Sequence, residues 1–157
     1  MKHWTARSYA GIAAAVCLGL LVTTGSVVAG HHEGSAMEAK AMLKRAVAAL
    51  NEDEAQALAA FTSGTDGFKD RDLYVFCSGA DGRMTAHGAN ASLIGKDFCS
   101  FVDKAGKQFG AQMCANANGQ ISVIEYEWPR PGETEPSQKA SYYTKVDSQI
   151  CGVGFYK

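Results

Sequence analysis

The hydrophobic pattern of this chain changes its period once, and that change limits the fold more than any other feature. Between residues 35 and 61, apolar side chains recur three and four positions apart, as on one face of a helix. After the loop at residues 63–67 they alternate, as in β-strands. One helical segment followed by strands predicts an α+β fold.

The helical segment is expected to begin at Ser35 and to end at Phe61. Ser35 with Glu38 three residues later predicts a capping box, in which each side chain accepts a hydrogen bond from the other residue's backbone. The polar residues Asn51-Glu52-Asp53 interrupt the apolar pattern. They either start a second helix or mark a bend.

Five strands are expected after residue 67, at residues 72–78, 83–87, 120–128, 139–147 and 149–156. Asp81-Gly82 forms a hairpin turn between the first two, because both residues tolerate a positive φ. Residues 96–118 are expected to be helical or irregular and to bury Phe98, Phe101, Val102, Phe109 and Met113. Strands joined mostly by hairpins predict an antiparallel sheet with helices packed against it.

Residues 1–29 are typical of a secretory signal peptide. Lys2 and Arg7 precede an uncharged run over residues 10–29, and small residues favour cleavage after Ala29. Residues 30–35 would then form a polar N-terminal tail. We expect a periplasmic or secreted protein; the alternative is an uncleaved helix that anchors the chain in the membrane.

The charged residues argue against a nucleic-acid partner. The chain has 15 basic and 16 acidic residues without a basic patch, so nothing supplies the phosphate contacts that dominate such binding. Four cysteines follow the signal segment, and an even number in an exported domain predicts two disulfides with three connectivities. They are Cys77, Cys99, Cys114 and Cys151.

The terminus left by cleavage after Ala29 would read Gly30-His31-His32. An amine, two amide nitrogens and a third-position imidazole can surround Cu(II) or Ni(II) in a plane. A disordered polar tail is the alternative that we favour. No metal site and no cofactor are therefore predicted.

An ordered set of short motifs resembles the single Cache domain family, which comprises extracytoplasmic sensor domains with a PAS-like sheet. The resemblance implies a five-stranded antiparallel sheet, a long N-terminal helix packed against one side and short helices or loops over the other. We expect the domain to span residues 36–157. The motifs are Asp72-Leu73-Tyr74-Val75-Phe76, Asp81-Gly82, Ala86-His87-Gly88, Leu93-Ile94-Gly95-Lys96-Asp97, Asp103-x-x-Gly106-Lys107, Tyr126-x-Trp128, Lys139-x-Ser141-Tyr142 and Gly152-Val153-Gly154-Phe155-Tyr156.

The resemblance also implies a function, because such domains bind small organic ligands, often short carboxylates, outside the membrane in chemoreceptors or sensor kinases. The chain ends at Lys157 without a signalling domain, so we expect an exported binder that passes its signal to a membrane receptor or sensor kinase. One alternative is an accessory protein whose pocket is filled by its own side chains. A Cys–His enzyme is less favoured, since no catalytic motif is present. The oligomeric state is left open.

The candidate ligand-binding residues are mainly aromatic side chains around one lysine. Lys139 facing a closed pocket would pair with a ligand carboxylate, and Tyr126 and Trp128 would form an apolar wall. The alternative is a solvated lysine beside an ordinary core. Tyr142 and Tyr143 are further candidates, although strand alternation puts only Tyr143 on the face of Lys139.

His87 ends the second strand and is a candidate of a different kind. It either donates to a ligand oxygen or senses pH near neutrality; the alternative is a histidine bonded to loop backbone. The resemblance further implies disulfides between Cys77 and Cys151, on neighbouring strands, and between Cys99 and Cys114. Four buried free thiols are the alternative if the chain is not exported.

Overall fold

A computed structural model describes residue 1 and residues 33–157 of the protein. The predicted signal peptide, its cleavage after Ala29 and the candidate metal site at Gly30-His31-His32 lie outside the described residues. Within the described part, no helix is long and apolar enough to cross a membrane. Of the predicted polar tail, Gly34 is buried and Ser35 caps the first helix.

Two helices precede the sheet, as one of the two interpretations of residues 51–53 predicts. Helix α1 (Ala36–Glu52) begins at the expected capping box, where the Ser35 amide donates to the Glu38 carboxylate over 2.8 Å. The chain becomes extended at Asp53, whose side chain accepts from the Gln56 amide and starts α2 (Glu54–Ser63). Gly64 ends α2 in the left-handed region, at φ 72°.

An antiparallel sheet follows, in the order β1-β2-β6-β5-β4, with β3 also paired to β2. The five expected strands are present, and the two-residue β1 was not predicted. Strands β4 and β5 also run further than expected, up to Pro129 and from Pro136. The strands are β1 (Lys69–Asp70), β2 (Leu73–Ser78), β3 (Met84–His87), β4 (Ser122–Pro129), β5 (Pro136–Val146) and β6 (Gln149–Tyr156).

The sheet separates two apolar clusters. On one side, α1 and α2 pack against it through fully buried side chains such as Leu43 and Phe61. A disulfide between Cys77 and Cys151, which face each other in register, joins β2 to β6 within this cluster. The predicted long helix against one side of an antiparallel sheet is confirmed.

Short helices cover the other side of the sheet, as expected. They are two 3-10 helices, Ala91–Leu93 and Phe98–Ser100, and α3 (Phe109–Asn116). The second disulfide, between Cys99 and Cys114, ties the Phe98–Ser100 helix to α3. The expectation that Val102 is buried was wrong: its side chain is 48% exposed, because its neighbour Phe101 takes the inward position against Phe98.

Candidate ligand-binding site

The candidate site lies on the sheet face that carries the second, aromatic cluster, and Lys139 of β5 is its central residue. The buried members of this cluster are Tyr74, Phe76, Met84, Phe98, Phe109, Met113, Ile124, Tyr126 and Tyr143. Only 1% of Lys139 is exposed. Its side chain crosses Gly154 of β6, and a Cβ at that glycine would lie 2.0 Å from the Lys139 Cε. Glycine at 154 therefore opens the path by which a lysine on β5 reaches β2.

The amine of Lys139 ends among tyrosines. It donates to the Tyr74 hydroxyl over 2.7 Å. It also lies 4.1 Å from the centroid of the Tyr74 ring and 4.8 Å from that of Tyr156, within the range of a cation–π interaction. In the described part of the chain, no carboxylate lies within ion-pair distance of this amine.

Burial changes the protonation of the two basic residues at the site. It lowers the pKa of Lys139 to about 7, against the opposite effect of the Asp72 carboxylate. It lowers the pKa of His87 to about 3, and the charge of Lys139 acts in the same direction. The imidazole is therefore neutral at physiological pH, while the amine is close to its midpoint.

The hydrogen bonds of His87 define which ring nitrogen carries the proton. Nδ1 accepts from the Asn90 amide over 2.9 Å and from the Ala89 amide over 3.3 Å. Because a neutral imidazole has one acceptor and one donor nitrogen, the proton is on Nε2. No described residue accepts from Nε2, so it remains a donor for a ligand.

Aromatic rings from β4 and α3 form the wall of the site. Tyr126 stacks on Phe109 with a 4.1 Å centroid distance, and its hydroxyl is 2.8 Å from the Ser141 hydroxyl. Trp128 stacks on Phe101 at 5.9 Å. Ring stacking of this kind adds to the stability of the wall beyond the burial of its area.

Two neighbouring spaces adjoin these residues. The interior one holds only about 10 Å³, the space of roughly one water molecule, between the rings of the aromatic cluster. The outer one holds about 370 Å³, in the range of small-ligand sites, and opens beside the loop after β4. Tyr74, His87 and Trp128 line both spaces. Lys139 lines neither, since its amine lies behind the Tyr74 hydroxyl.

Arg130 forms the rim of the outer space. Its guanidinium donates to the Asp72 carboxylate over 3.0 Å, pairs with Glu33 at 3.0 Å and lies 4.5 Å from the Tyr156 ring centroid. Asp72 also accepts from the Gly34 amide over 2.6 Å. The charge of Arg130 is therefore already matched, and Lys139 is the basic side chain left without an acidic partner here.

Another surface space, of about 410 Å³, lies between the two N-terminal helices and residues 66–68. Its ionisable lining residues are Glu52, Asp53 and Asp66, without a basic side chain. The carboxylates disfavour an anionic ligand there, because like charges repel. We therefore place the candidate site at Lys139.

The structure brings together four of the six residues proposed from the sequence: Lys139, His87, Tyr126 and Trp128. Tyr143 shares their side of the sheet, but it is 4% exposed and packs in the cluster without lining either space. Tyr142 lies on the opposite side, beside Phe155 and Lys40. That placement agrees with the strand alternation.

Sequence reasoning missed Tyr74, Asp72 and Arg130. Tyr74 could have been found, because alternation along β2 separates Tyr74 and Phe76 from Leu73 and Val75. The pairing of Asp72 with Arg130 spans 58 residues. No local sequence pattern predicts a contact between residues that are so far apart in the chain.

Comparison with known proteins gives one family match and several structural neighbours. The family model of Single Cache domain 2 matches residues 34–155. The methyl-accepting chemotaxis protein McpP of Pseudomonas putida is 33% identical over 90 residues, which cover 55% of this chain. The match spans only 16% of that relative's length.

Three solved structures share the fold over 76% of this chain. A methyl-accepting chemotaxis protein from Vibrio parahaemolyticus matches over 86% of its length, with a TM-score of 0.64 and 20% identity. A periplasmic sensor domain of a chemotaxis protein matches over 88%, at 0.58 and 26%. A Cache chemosensory domain solved as the basis for carboxylic acid recognition matches over 86%, at 0.58 and 24%.

Proposed function

Because this chain belongs to the single Cache domain 2 family, we propose that it is a ligand-binding sensor domain for small carboxylates, with Lys139 as the cationic anchor. The observation that carries the proposal is the buried amine without an acidic partner. A charge removed from water is costly unless it is paired, and a ligand carboxylate would supply the missing partner.

The chemistry around Lys139 suits a carboxylate with a small apolar body. The Tyr74 hydroxyl accepts from the amine, and the His87 ring, whose Nε2–H can donate to a ligand, lies 4.9 Å from the Tyr74 ring between centroids. Tyr126 and Trp128 offer an apolar wall. A charge-assisted hydrogen bond to the amine is roughly twice as strong as a neutral one, so the anchor dominates the expected affinity.

Entry of the ligand requires the interior space to widen. It holds about 10 Å³ and is lined by Met84, His87 and aromatic residues. Rotation of the Tyr74 or Trp128 side chain would join it to the outer space. The relative described by its carboxylic acid recognition supports this class of ligand. The two described disulfides and the periplasmic sensor-domain relative support a periplasmic location.

Signal transfer to a membrane receptor or sensor kinase is the remaining part of the proposal. It rests on relatives that are chemotaxis receptors. A binding role also agrees with the cysteines: all four in the described residues are in disulfides, which leaves no thiol there for a Cys–His nucleophile. The domain limits at residues 36–157 stay a prediction.

A second candidate function is that of an accessory domain that binds no ligand. The small interior space favours it, because the protein's own rings fill most of the region in front of Lys139. In that case Lys139 would serve only to bridge β5 and β2.

A thermal-shift screen with two- to six-carbon mono- and dicarboxylates separates the two candidates, and calorimetry then measures the affinity of each hit. We expect at least one hit, which Lys139→Met abolishes. Lys145→Met is the matched control, because Lys145 is an exposed lysine on the same strand. A library without hits, or a hit that survives in Lys139→Met, contradicts the proposed function.

A further inference from the structure

The amine of Lys139 is isolated from counter-charges by the packing of the whole site. It is 1% exposed, and its hydrogen-bond partner is the neutral Tyr74 hydroxyl. The Asp72 carboxylate acts on it, but that group is held by the Gly34 amide and by Arg130. Without a ligand, no carboxylate of the described residues pairs with the amine, and the rings of Tyr74 and Tyr156 offset only part of the cost of a buried positive charge.

The ionisable groups around this amine come from each element packed against it. Those on the strands are uncharged near neutral pH, because burial raises the pKa of the tyrosines and lowers that of the histidine. The charged ones stand at the rim. The set comprises Tyr74 on β2, His87 on β3, Tyr126 on β4, Tyr156 on β6, Asp72 before β2, Glu33 before α1, and Arg130 and Glu133 after β4.

Resting on the proposed function, we propose that carboxylate binding at this site takes up a proton from solution onto Lys139, so that the domain reads its ligand and the pH together. The neutral amine accepts the proton through its lone pair and becomes an ammonium group. The ligand stays an ionised carboxylate throughout, and no bond of the ligand breaks. The solvent or its buffer supplies the proton.

The extent of proton uptake follows from the environment of the amine. Burial lowers the pKa of Lys139 to about 7, and a carboxylate beside the amine would return the pKa towards its usual range. At pH 8 the free amine is mostly neutral, so binding takes up about 0.9 proton; at pH 6 it takes up about 0.1. The affinity then falls about tenfold per pH unit above pH 8 and levels off towards pH 6, as long as the ligand carboxylate stays ionised.

His87 is not the source of this dependence. The pKa of His87 is lowered to about 3, so the imidazole does not titrate in the range where the affinity changes. We therefore assign the pH dependence of ligand binding to Lys139 rather than to His87.

Calorimetry of the purified protein in pairs of buffers tests the proposal. Acetate is the probe in HEPES and Tris at pH 8 and in MES and bis-Tris at pH 6. Succinate is used at pH 8 only, because its second carboxyl group is partly protonated at pH 6. Buffers differ in their heat of ionisation, so the difference in binding heat reports the protons taken up. We expect about 0.9 proton at pH 8 and about 0.1 at pH 6, unchanged in Lys145→Met.

A second readout does not depend on a ligand. Lysine labelled with ¹³C at Cε is followed by NMR from pH 5 to 11, and the Lys139 signal is assigned by its loss in Lys139→Met. We expect the Lys139 signal to titrate near pH 7 in the free protein.

The outcomes separate this inference from the proposed function. Binding whose heat is independent of buffer at pH 8, or a free Lys139 that titrates near pH 10.5, overturns the proton coupling and leaves carboxylate binding intact. A Lys139 that titrates near pH 7 in a protein that binds neither probe nor any member of the carboxylate library contradicts the proposed function instead, and the coupling with it.

Discussion

The Lys139 amine on β5 lies 2.7 Å from the Tyr74 hydroxyl on β2, although β6 runs between these two strands. Three strands thus contribute to one contact. Strand β5 supplies the lysine that donates, β2 supplies the tyrosine that accepts, and Gly154 of β6 leaves space for the lysine side chain between them. The contact is buried, and it is the point on which the proposed ligand chemistry depends.

Gly154→Ala tests the path of this side chain. The new Cβ would lie 2.0 Å from the Lys139 Cε and 2.6 Å from the Ser141 Oγ, so the lysine must leave its position. We expect carboxylate binding to be lost and the free energy of unfolding to fall by about 1–3 kcal/mol, as for an overpacked core.

The matched control for Gly154→Ala is the same change in a Lys139→Ala background. Removal of the long side chain frees the space, so the glycine substitution should cost less there. Chemical denaturation of the four proteins measures the coupling. Equal costs in both backgrounds would show that the lysine does not need the glycine.

The stability of the ligand-free protein should rise with pH above neutrality because of Lys139. Its pKa is lowered to about 7 on folding, so between pH 7 and about 10 the unfolded state binds the additional proton. The free energy of unfolding then rises by about 1.4 kcal/mol per pH unit in that window. Lys139→Met should remove this slope when denaturation is measured from pH 7 to 9.5, while Lys145→Met keeps it.

His87 should make the protein labile to acid. Its pKa is lowered to about 3, so between pH 6.5 and 3 the unfolded state binds more protons and stability is lost as the pH falls. His87→Asn replaces the Nδ1 acceptor with an amide oxygen that does not titrate. We expect the gap in melting temperature between this variant and the parent to narrow or reverse from pH 7 to pH 4; a constant gap would assign the acid sensitivity to other groups.

The ion pair between Asp72 and Arg130, at the rim of the outer space, should contribute more to the free energy of unfolding than an exposed ion pair does. Asp72 and Arg130 have side chains that are 10% and 18% exposed, and Asp72→Ala would also leave the Gly34 amide without its acceptor. We expect a loss of about 3 kcal/mol. Glu135→Ala, which breaks an exposed pair with Lys104, should cost less than about 1 kcal/mol in the same denaturation assay.

The two disulfides should differ in their contribution to the free energy of unfolding. Cys77–Cys151 closes 74 residues and Cys99–Cys114 closes 15. Loop entropy then predicts losses of about 4 and about 3 kcal/mol for the paired serine variants. The Cys99/Cys114 variant should also bind carboxylates more weakly, because it frees the segment that carries the aromatic wall. The reverse order of stability would contradict the loop-entropy account.

Much of the fold could be predicted from local patterns. The capping box at Ser35, the break at Asp53 and the alternation along β5 each depend on residues a few positions apart. The same alternation correctly separated Tyr142 from the face of Lys139. Val102 was misplaced because an irregular segment has no period from which to read a buried face.

The candidate site could be predicted less well, because its contacts join distant parts of the chain. Tyr74 and Lys139 are 65 residues apart, and Asp72 and Arg130 are 58 apart. A lysine in an aromatic strand suggested an anchor, but only the packing of three strands shows that the amine is buried and what it contacts.

A crystal structure of the protein with the tightest carboxylate from the screen tests the central claim most directly. We predict that a carboxylate oxygen lies about 3 Å from the Lys139 Nζ, with the rings of Tyr74 or Trp128 rotated to admit it. A bound carboxylate elsewhere on the protein, with Lys139 still bonded to Tyr74 behind closed rings, would contradict it.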